Sequence, residues 1–480
     1  MPKVKRHKQA EEDDEDAVCQ VLVERGSYNE HLPHLPAKIV DVRGSGFVIE
    51  EIPTGLLVVT NAHVVNNAKT ICVKFSKTRK KLHTCQLLVF CPYRDVALLL
   101  VETTDLHPKP LKFADSFLVK AGDQVHVIAH PLGEWRVQRT SGTVSGFSTH
   151  PKNNNIVHSE SSYIQITAGV NPGSSGSCCV NSQNEVIGLT TAAMPFASNV
   201  GYITPASTVI ATLFADRGPC VMMSQPHLGL ETSPGPDGVY VRWVTPLSSF
   251  RNKPYMDSKE ERVAEKKAHG GETDLVNTEL KRLDVITDLV VFSGQKKLHF
   301  VMDQYGLCHI ENRKEVKRPF TIVDISACID TGSQVELHIT RAKKKLTIKG
   351  VFSPQPCWDW MMRDLFVFLE PWRLGWAMLG GMLLVENVDS VAKNTKNCYQ
   401  RHVHVCRVFQ NSFFNNHELE HGQAIKEING TEVHTLADVC AIMQKASSYE
   451  VVFTNQARVK VASSAASAKQ SAGIIESFLQ

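Results

Sequence analysis

Between residues 38 and 204, apolar and β-branched side chains recur in short runs divided by turn-forming residues. The runs are KIVDV, GFVI, LLVVT, TICVKF, VALLLV, QVHVIA, GTVSGF, YIQIT and EVIGLTT. Runs this short, spaced this evenly, predict an all-β barrel or sandwich. The first extended helical signal comes at Thr204-Pro205, where threonine can cap and proline can occupy the first turn. That helix is expected to run through ASTVIATLFADR and to stop at Gly218, closing the domain, with Pro219 to Gln225 as a linker.

Composition enlarges the picture to three domains, since 480 residues exceed the size of a single core at about 150 residues per domain. Apolar residues at 42% suffice for true cores, and charged residues at 21% leave an ordinary surface. The net charge of +3 gives no reason to expect a polyanion-binding protein, so no specific nucleic-acid partner is expected. Thirteen cysteines, an odd number without a CxxC pair, together with no visible secretory segment, read as reduced thiols of an intracellular compartment, cytoplasmic or nuclear. Cys178-Cys179 read as small buried core residues. Residues 1–20 open with a basic run and then an acidic one, PKVKRHK and EEDDED, and are expected to form a disordered charged tail. The basic run also fits a weak nuclear signal. The apolar stretch Leu374 to Val385 is far shorter than the roughly 20 residues a membrane helix needs, so a core segment is expected there and no membrane partner.

Candidate chemistry lies in three stretches. TNAHVV places His63 directly after the apolar run Gly55 to Thr60, so a strand would deliver it to a rigid edge. YRDVALLL places Asp95 before the run Val96 to Val101, where a carboxylate can be half buried and aimed at an imidazole. NPGSSGSC holds Ser175 between Gly173 and Gly176 in a loop able to turn sharply. A serine hydroxyl becomes a useful nucleophile when a histidine takes its proton, and the histidine needs a carboxylate to fix its tautomer. The order His, Asp, Ser is that of the chymotrypsin-like double barrel.

At these residues the chain resembles the Deg/HtrA (Do-like) serine proteases, whose corresponding motifs are TNAHVV, SDLALL and NPGNSGGP. GSGFVI (44–49), AHPLG (129–133) and NVGYITP (199–205) fit the same pattern. The layout is similar to plant-type members with two divergent PDZ-like domains. The resemblance implies a mainly β chain: a chymotrypsin-like double barrel over 21–218, PDZ-like α+β domains over 219–352 and 353–462, and a tail from 463 to 480. It implies an ATP-independent endopeptidase of unfolded or damaged proteins, without cofactor, assembled as a trimer or a multiple of one. Ser175 would be the nucleophile, His63 the base and Asp95 its orienting carboxylate. Backbone N–H groups of Gly173, Ser174 and Ser175 would form the oxyanion hole. Leu189, Thr190 and Thr191 would pair with substrate, and Val170 with Thr191 would line an apolar pocket.

Ser177 departs from the family's glycine, and a Cβ there costs on the order of 1 kcal/mol if the backbone requires positive φ. A catalytically idle binding or chaperone scaffold is the alternative. In the first PDZ-like region, Leu228, Gly229 and Leu230 resemble the loop that receives a peptide carboxylate, and the matching stretches are GVYVRWVTPLSS, LKRLDVITDL and VELHITRAKKKLTIKGVF. Peptide C-termini are the expected partners. Lys259 to Glu272 reads as a mobile charged insert. The second region matches at VHVCRVF, at HGQAIKEINGTEVHTLADVCAIMQ and at YEVVF. Its opening LFVFLEPWRL lacks such a loop, which favours a role in assembly. His417-Glu418-Leu419-Glu420-His421 satisfies H-E-x-x-H, but Gly422 follows at once and leaves little room for a helix. No metal site is expected there.

Overall fold

The computed structural model describes residues 14–27, 38–66, 68–78, 81–91, 94–103, 105–148, 162–193, 199–213, 226–235, 238–244, 248–250, 279–293, 296–303, 308–310, 322–327, 329, 332–354, 376–379, 382–386, 403–408, 423–445, 448–453 and 458–462. The chain divides into two compact units, residues 1–25 with 41–357 and residues 26–40 with 358–480.

Twelve short strands form two closed barrels. In the first, β1 (Val18–Ser27), β2 (Lys38–Ile52), β3 (Gly55–Thr60), β4 (Ala68–Phe75), β5 (His83–Cys91) and β6 (Val96–Glu102) take the order β1-β2-β3-β6-β5-β4. Pairing of Cys19 with Phe75 and its neighbours closes the ring. In the second, β7 (Gln124–Ala129), β8 (Gln138–Ser148), β9 (Tyr163–Ile166), β10 (Cys178–Val180), β11 (Val186–Ala193) and β12 (Gly201–Pro205) take the order β10-β11-β12-β9-β8-β7, and Cys178 pairs with Ile128 to close it. Closure removes the exposed edges that short β-branched strands would otherwise present. The mainly β double barrel is therefore the architecture that the run spacing and the family resemblance imply.

Two sequence expectations change. The charged tail ends before residue 14: Asp14 and Ala17 are buried, and Val18, Cys19, Val21 and Val23 turn into the first barrel. The acidic run is not simply solvated, because Asp14 lies 3.6 Å from Arg139 and Asp16 pairs with Lys77. A helix does follow the last barrel strand, but it spans Ala206–Leu213, with Pro205 still in β12; residues 214–218 lie outside the described residues. The one-turn helix after β3, Ala62–Val65, is α1 and this later helix α2.

Residues 226–354 build a second kind of core. The strands β13 (Pro226–His227), β14 (Leu230–Gly235), β15 (Gly238–Val244), β16 (Val285–Ser293), β17 (Lys296–Met302), β18 (Cys308–Ile310), β19 (Gln334–Arg341), β20 (Lys344–Val351) and β21 (Ser353–Pro354) follow in chain order, with the helix α3 at Ile322–Ala327. β14 through β18 form one path, and β19 joins β16 to β20. Leu228, Leu230, Leu289, Phe300, Leu337 and Phe352 share the core, and Phe117 of the barrel region packs against it. In the last unit a sheet runs from Trp376–Leu379 to Arg458–Ala462, covered by α4 (Leu436–Lys445). Thr435 Oγ1 accepts from the Asp438 N–H at 3.2 Å and the Asp438 carboxylate accepts from the Thr435 N–H at 2.8 Å, a reciprocal cap that fixes where α4 starts. Leu374 to Val385 contributes two paired strands from Trp376 onward rather than a helix. Among the described residues no helix is long and apolar enough to cross a membrane. The segment 417–421, the insert 259–272, LFVFLEPWRL and the tail 463–480 lie outside the described residues.

Candidate active site

β3 ends at Thr60, and the chain turns at Asn61 into α1, which carries His63. His63 therefore sits on a single helical turn just past the strand rather than on its edge. Asp95 enters β6 from a left-handed conformation, φ 54°, an arrangement that aspartate tolerates better than most side chains. It is 1% exposed, yet neither carboxylate oxygen is wasted. Oδ1 accepts from the His63 backbone N–H at 2.8 Å, and Oδ2 accepts from the ring Nδ1–H at 2.7 Å. His63 is thus held at two points, backbone and ring, and the ring bond sets the tautomer with the lone pair on Nε2. Asn61 secures the other side by donating from Nδ2 to the Asp95 carbonyl at 2.8 Å.

The Ser175 loop is docked against the β2–β3 end of the first barrel. Ser45 connects most of it. Its N–H donates to Ser175 O at 2.8 Å, its hydroxyl donates to Gly173 O at 2.8 Å, and the same oxygen accepts from His130 N at 2.9 Å. Thr60 Oγ1 donates to Ser45 O at 2.8 Å, so the strand leading to His63 and the serine loop share one anchor. Gly173 and Gly176 both have positive φ, 93° and 86°. A Cβ on Gly176 would come within 2.1 Å of Ser45 O. Ser177 is not in the left-handed region, so the strain that its replacement of a glycine raised does not arise. Cys178 and Cys179 are fully buried beneath the loop, and burial pushes the Cys178 thiol up to about 12, consistent with core packing.

The loop's N–H groups divide. The Ser174 N–H donates to Asn171 O at 2.9 Å and the Gly176 N–H to Thr190 O at 2.9 Å. Ser174 is therefore withdrawn from the expected oxyanion set, because one N–H cannot both close the turn and bind an oxyanion. No hydrogen bond from the Gly173 or Ser175 N–H is found among the described residues. Ser175 Oγ likewise makes no hydrogen bond to His63 here, a separation common in unliganded sites that tighten on substrate.

The expected substrate strand also shifts. Leu189 is fully buried and pairs with both Cys178 and Thr204. Thr190 gives both its N–H and its carbonyl to the serine loop, at 2.8 and 2.9 Å. Neither has backbone left for a substrate. Thr191 begins the stretch whose partners among the described residues are on β12 alone, through Ala192 with Tyr202 and Ala193 with Gly201. Its hydroxyl is turned inward, 2.8 Å from Thr204 Oγ1. Val170 is partly buried against the second barrel's core, facing Gly201, where a Cβ would meet Val170 Cγ2 at 2.7 Å. Leu228 and Leu230 are buried, Gly229 has φ 69°, and Leu228 O accepts from Ser248 Oγ at 2.6 Å. They lead into β14, which among the described residues is paired on one side only, with β15.

Sequence reasoning found His63, Asp95 and Ser175 but not Ser45, Asn61 or His130, which hold them. Ser45 and Asn61 lie inside recognised stretches, GSGFVI and TNAHVV. Their signal was present, and only the folded contacts assign it.

Residues 44–189 match the family model of the trypsin-like peptidase domain. The periplasmic serine endoprotease DegP of Salmonella typhimurium is 36% identical over 162 residues, covering 33% of this chain and 32% of that protein. A serine protease HtrA-like protein of Staphylococcus haemolyticus is 28% identical over 173 residues, 34% of this chain and 26% of that protein. The chain thus spans about a third or less of the length of these curated relatives. The solved HtrA-type protease AlgW with tripeptide aligns over 74% of this chain and 98% of its own, at 18% identity and a TM-score of 0.49.

Proposed function

We propose that this chain, a member of the Deg/HtrA serine protease family through its trypsin-like peptidase domain, is an ATP-independent serine endopeptidase acting on unfolded or damaged proteins. Ser175 Oγ attacks the scissile carbonyl while His63 Nε2 takes its proton and later returns it to the leaving amine. Asp95 stabilises the imidazolium that forms between these steps. The N–H groups of Gly173 and Ser175 receive the oxyanion. Substrate adds as a strand along β11 from Thr191 onward. The observation that carries this reading is the buried Asp95 carboxylate, with one oxygen on the His63 N–H and the other on Nδ1. A scaffold with no chemistry has no need to fix both the backbone and the ring of a histidine.

Residues 226–354 form the PDZ-like module in this reading, with β14 as the strand to which a peptide terminus adds. Purified protein is expected to degrade casein without ATP, Ser175→Ala to abolish that, and a fluorophosphonate to label Ser175 in a His63-dependent manner. A folded protein that neither cleaves nor labels between about pH 6 and 9 would make the idle scaffold the correct reading. In the same preparation, peptides with apolar C-termini should bind with micromolar affinity, typical of strand addition. Equal binding of free-acid and amidated peptides would refute the carboxylate loop at Leu228 to Leu230.

A further inference from the structure

Away from the peptidase barrels, three strands of the 226–354 sheet bring two histidines and a carboxylate to one place. Asp288 on β16 lies opposite His338 on β19 in the ladder, and His299 on β17 is offset by one diagonal step on the other side. All three are on the face turned away from the core: their neighbours Leu289, Phe300, Leu337 and Ile339 are buried, and strand residues alternate faces. Asp288 Oδ1 accepts from His299 Nε2 at 2.8 Å and also from His338 Nδ1. The two rings and the carboxylate offer one ligand atom each, all within 4.8 Å of one another.

We infer that Asp288, His299 and His338 form a binding site for a divalent transition-metal ion, with zinc the best fit. Two imidazoles and one carboxylate are a donor set suited to zinc, and three protein ligands leave a position for water. Zinc bonds of about 2.0–2.2 Å in a tetrahedron set ligand atoms about 3.3–3.5 Å apart, so closing the present cluster needs small side-chain rotations only. The ligands stand on neighbouring strands of one ladder, which holds their backbones fixed. A bulge helps to aim them. Ladder pairing of β16 with β19 slips between Ile286 and Asp288, which re-aims the side chains beside it. The extra residue, Thr287, donates its hydroxyl to Asp288 Oδ2 at 2.8 Å, which orients the carboxylate as an outer-shell partner does and leaves Oδ1 for the metal.

Without metal the carboxylate accepts both ring N–H groups. Burial pushes the Asp288 carboxyl up, but the bonds from His299, Thr287 and His338 outweigh it and hold it below the usual carboxylate range. On metal binding each facing nitrogen presents its lone pair, its proton moving through solvent to the outer ring nitrogen. The ion would then cross-link β17, β16 and β19, the middle of the sheet that the proposed function assigns to peptide binding. The site itself stands on its own ligands and does not rest on that assignment.

The test is zinc titration of full-length, chelator-treated protein by calorimetry, with cobalt absorption as a second probe of coordination geometry. One zinc should bind with low-micromolar or tighter affinity, cobalt should give a tetrahedral-type visible spectrum, and zinc should raise the melting temperature. His299→Gln with His338→Gln should weaken binding at least a hundredfold and remove the melting shift. Asp288→Asn, which keeps shape and both rings, should weaken it at least tenfold. A His417→Ala, His421→Ala control should bind zinc as the parent does. Absence of saturable binding overturns the site, as does binding unchanged in the folded His299→Gln/His338→Gln and Asp288→Asn variants. Loss of zinc in the 417/421 control in their place would also overturn it.

Discussion

At the residue scale, the site is built from groups that each make two contacts. Asp95 holds His63 by both oxygens, and Ser45 holds both the serine loop and His130. His130 supplies a further test, because it is 1% exposed and donates from Nδ1 to Glu134 O at 3.1 Å. Burial pushes its pKa down, against hydrogen bonds to backbone groups that raise it. A histidine with a depressed folded pKa resists protonation in the native state, while in the unfolded chain it protonates below about pH 6.5. Its share of stability is therefore complete above that pH and lost as the pH falls toward its folded value. His130→Asn keeps a donor for Glu134 O and removes the titration. Chemical denaturation from pH 7.5 to 5 should show a flatter stability profile for the variant, the difference bounded by about 1.4 kcal/mol per pH unit. Parallel profiles would show that burial of His130 has no energetic consequence.

At the scale of elements, the chain declares its strands by composition and hides those that are short or charged. GLLVVT and VALLLV read directly as strands because every residue is apolar or β-branched, and they are β3 and β6. β10 is three residues long, below what periodicity can detect. β1 was concealed because its start adjoins the acidic run that Lys77 and Arg139 neutralise, a long-range compensation with no local trace. Leu283 follows the same logic. It has φ 73°, a left-handed conformation costing a leucine about 1–2 kcal/mol, and only the folded turn reveals this. His63, Asp95 and Ser175 were legible because their chemistry is carried by short fixed motifs, whereas the withdrawal of Ser174, Leu189 and Thr190 depends on which hydrogen bonds the fold has already used. The glycine that seats the serine loop gives the matching prediction. In Gly176→Ala the new Cβ would meet the Ser45 carbonyl and Thr60 Oγ1, 2.1 and 2.3 Å away, at a φ that disfavours any side chain. The loop must lift from its anchor. Fluorophosphonate labelling of Ser175 should slow at least tenfold with circular dichroism unchanged. Adding Thr60→Ala should not restore it, since the backbone contact remains. Labelling at the parent rate would mean that the loop does not need this seat.

At the scale of the molecule, α2 joins what the motifs leave separate. It follows β12 directly, lies against β11 and β6, and meets α3 of the 226–354 sheet. Its Thr212 donates to Thr208 O at 2.7 Å and accepts from Arg94 Nη1 at 3.1 Å. Arg94 is 1% exposed and immediately precedes Asp95. A line of contacts therefore runs from α3 through α2 to Arg94, the chain neighbour of the aspartate that orients His63. If that line positions Asp95, shortening it by one oxygen should be felt at Ser175. Thr212→Val keeps the volume and takes away the acceptor, leaving one buried guanidinium donor short of a partner at a cost of about 1–3 kcal/mol. The variant should melt lower, and its turnover of casein should fall several-fold with KM little changed, because the loss concerns the geometry of His63 and not the substrate strand. Thr212→Ser retains the oxygen and should behave like the parent in turnover. Equal turnover in the valine and serine variants, with only the melting temperature lowered, would show that α2 supports the barrel without reaching the triad.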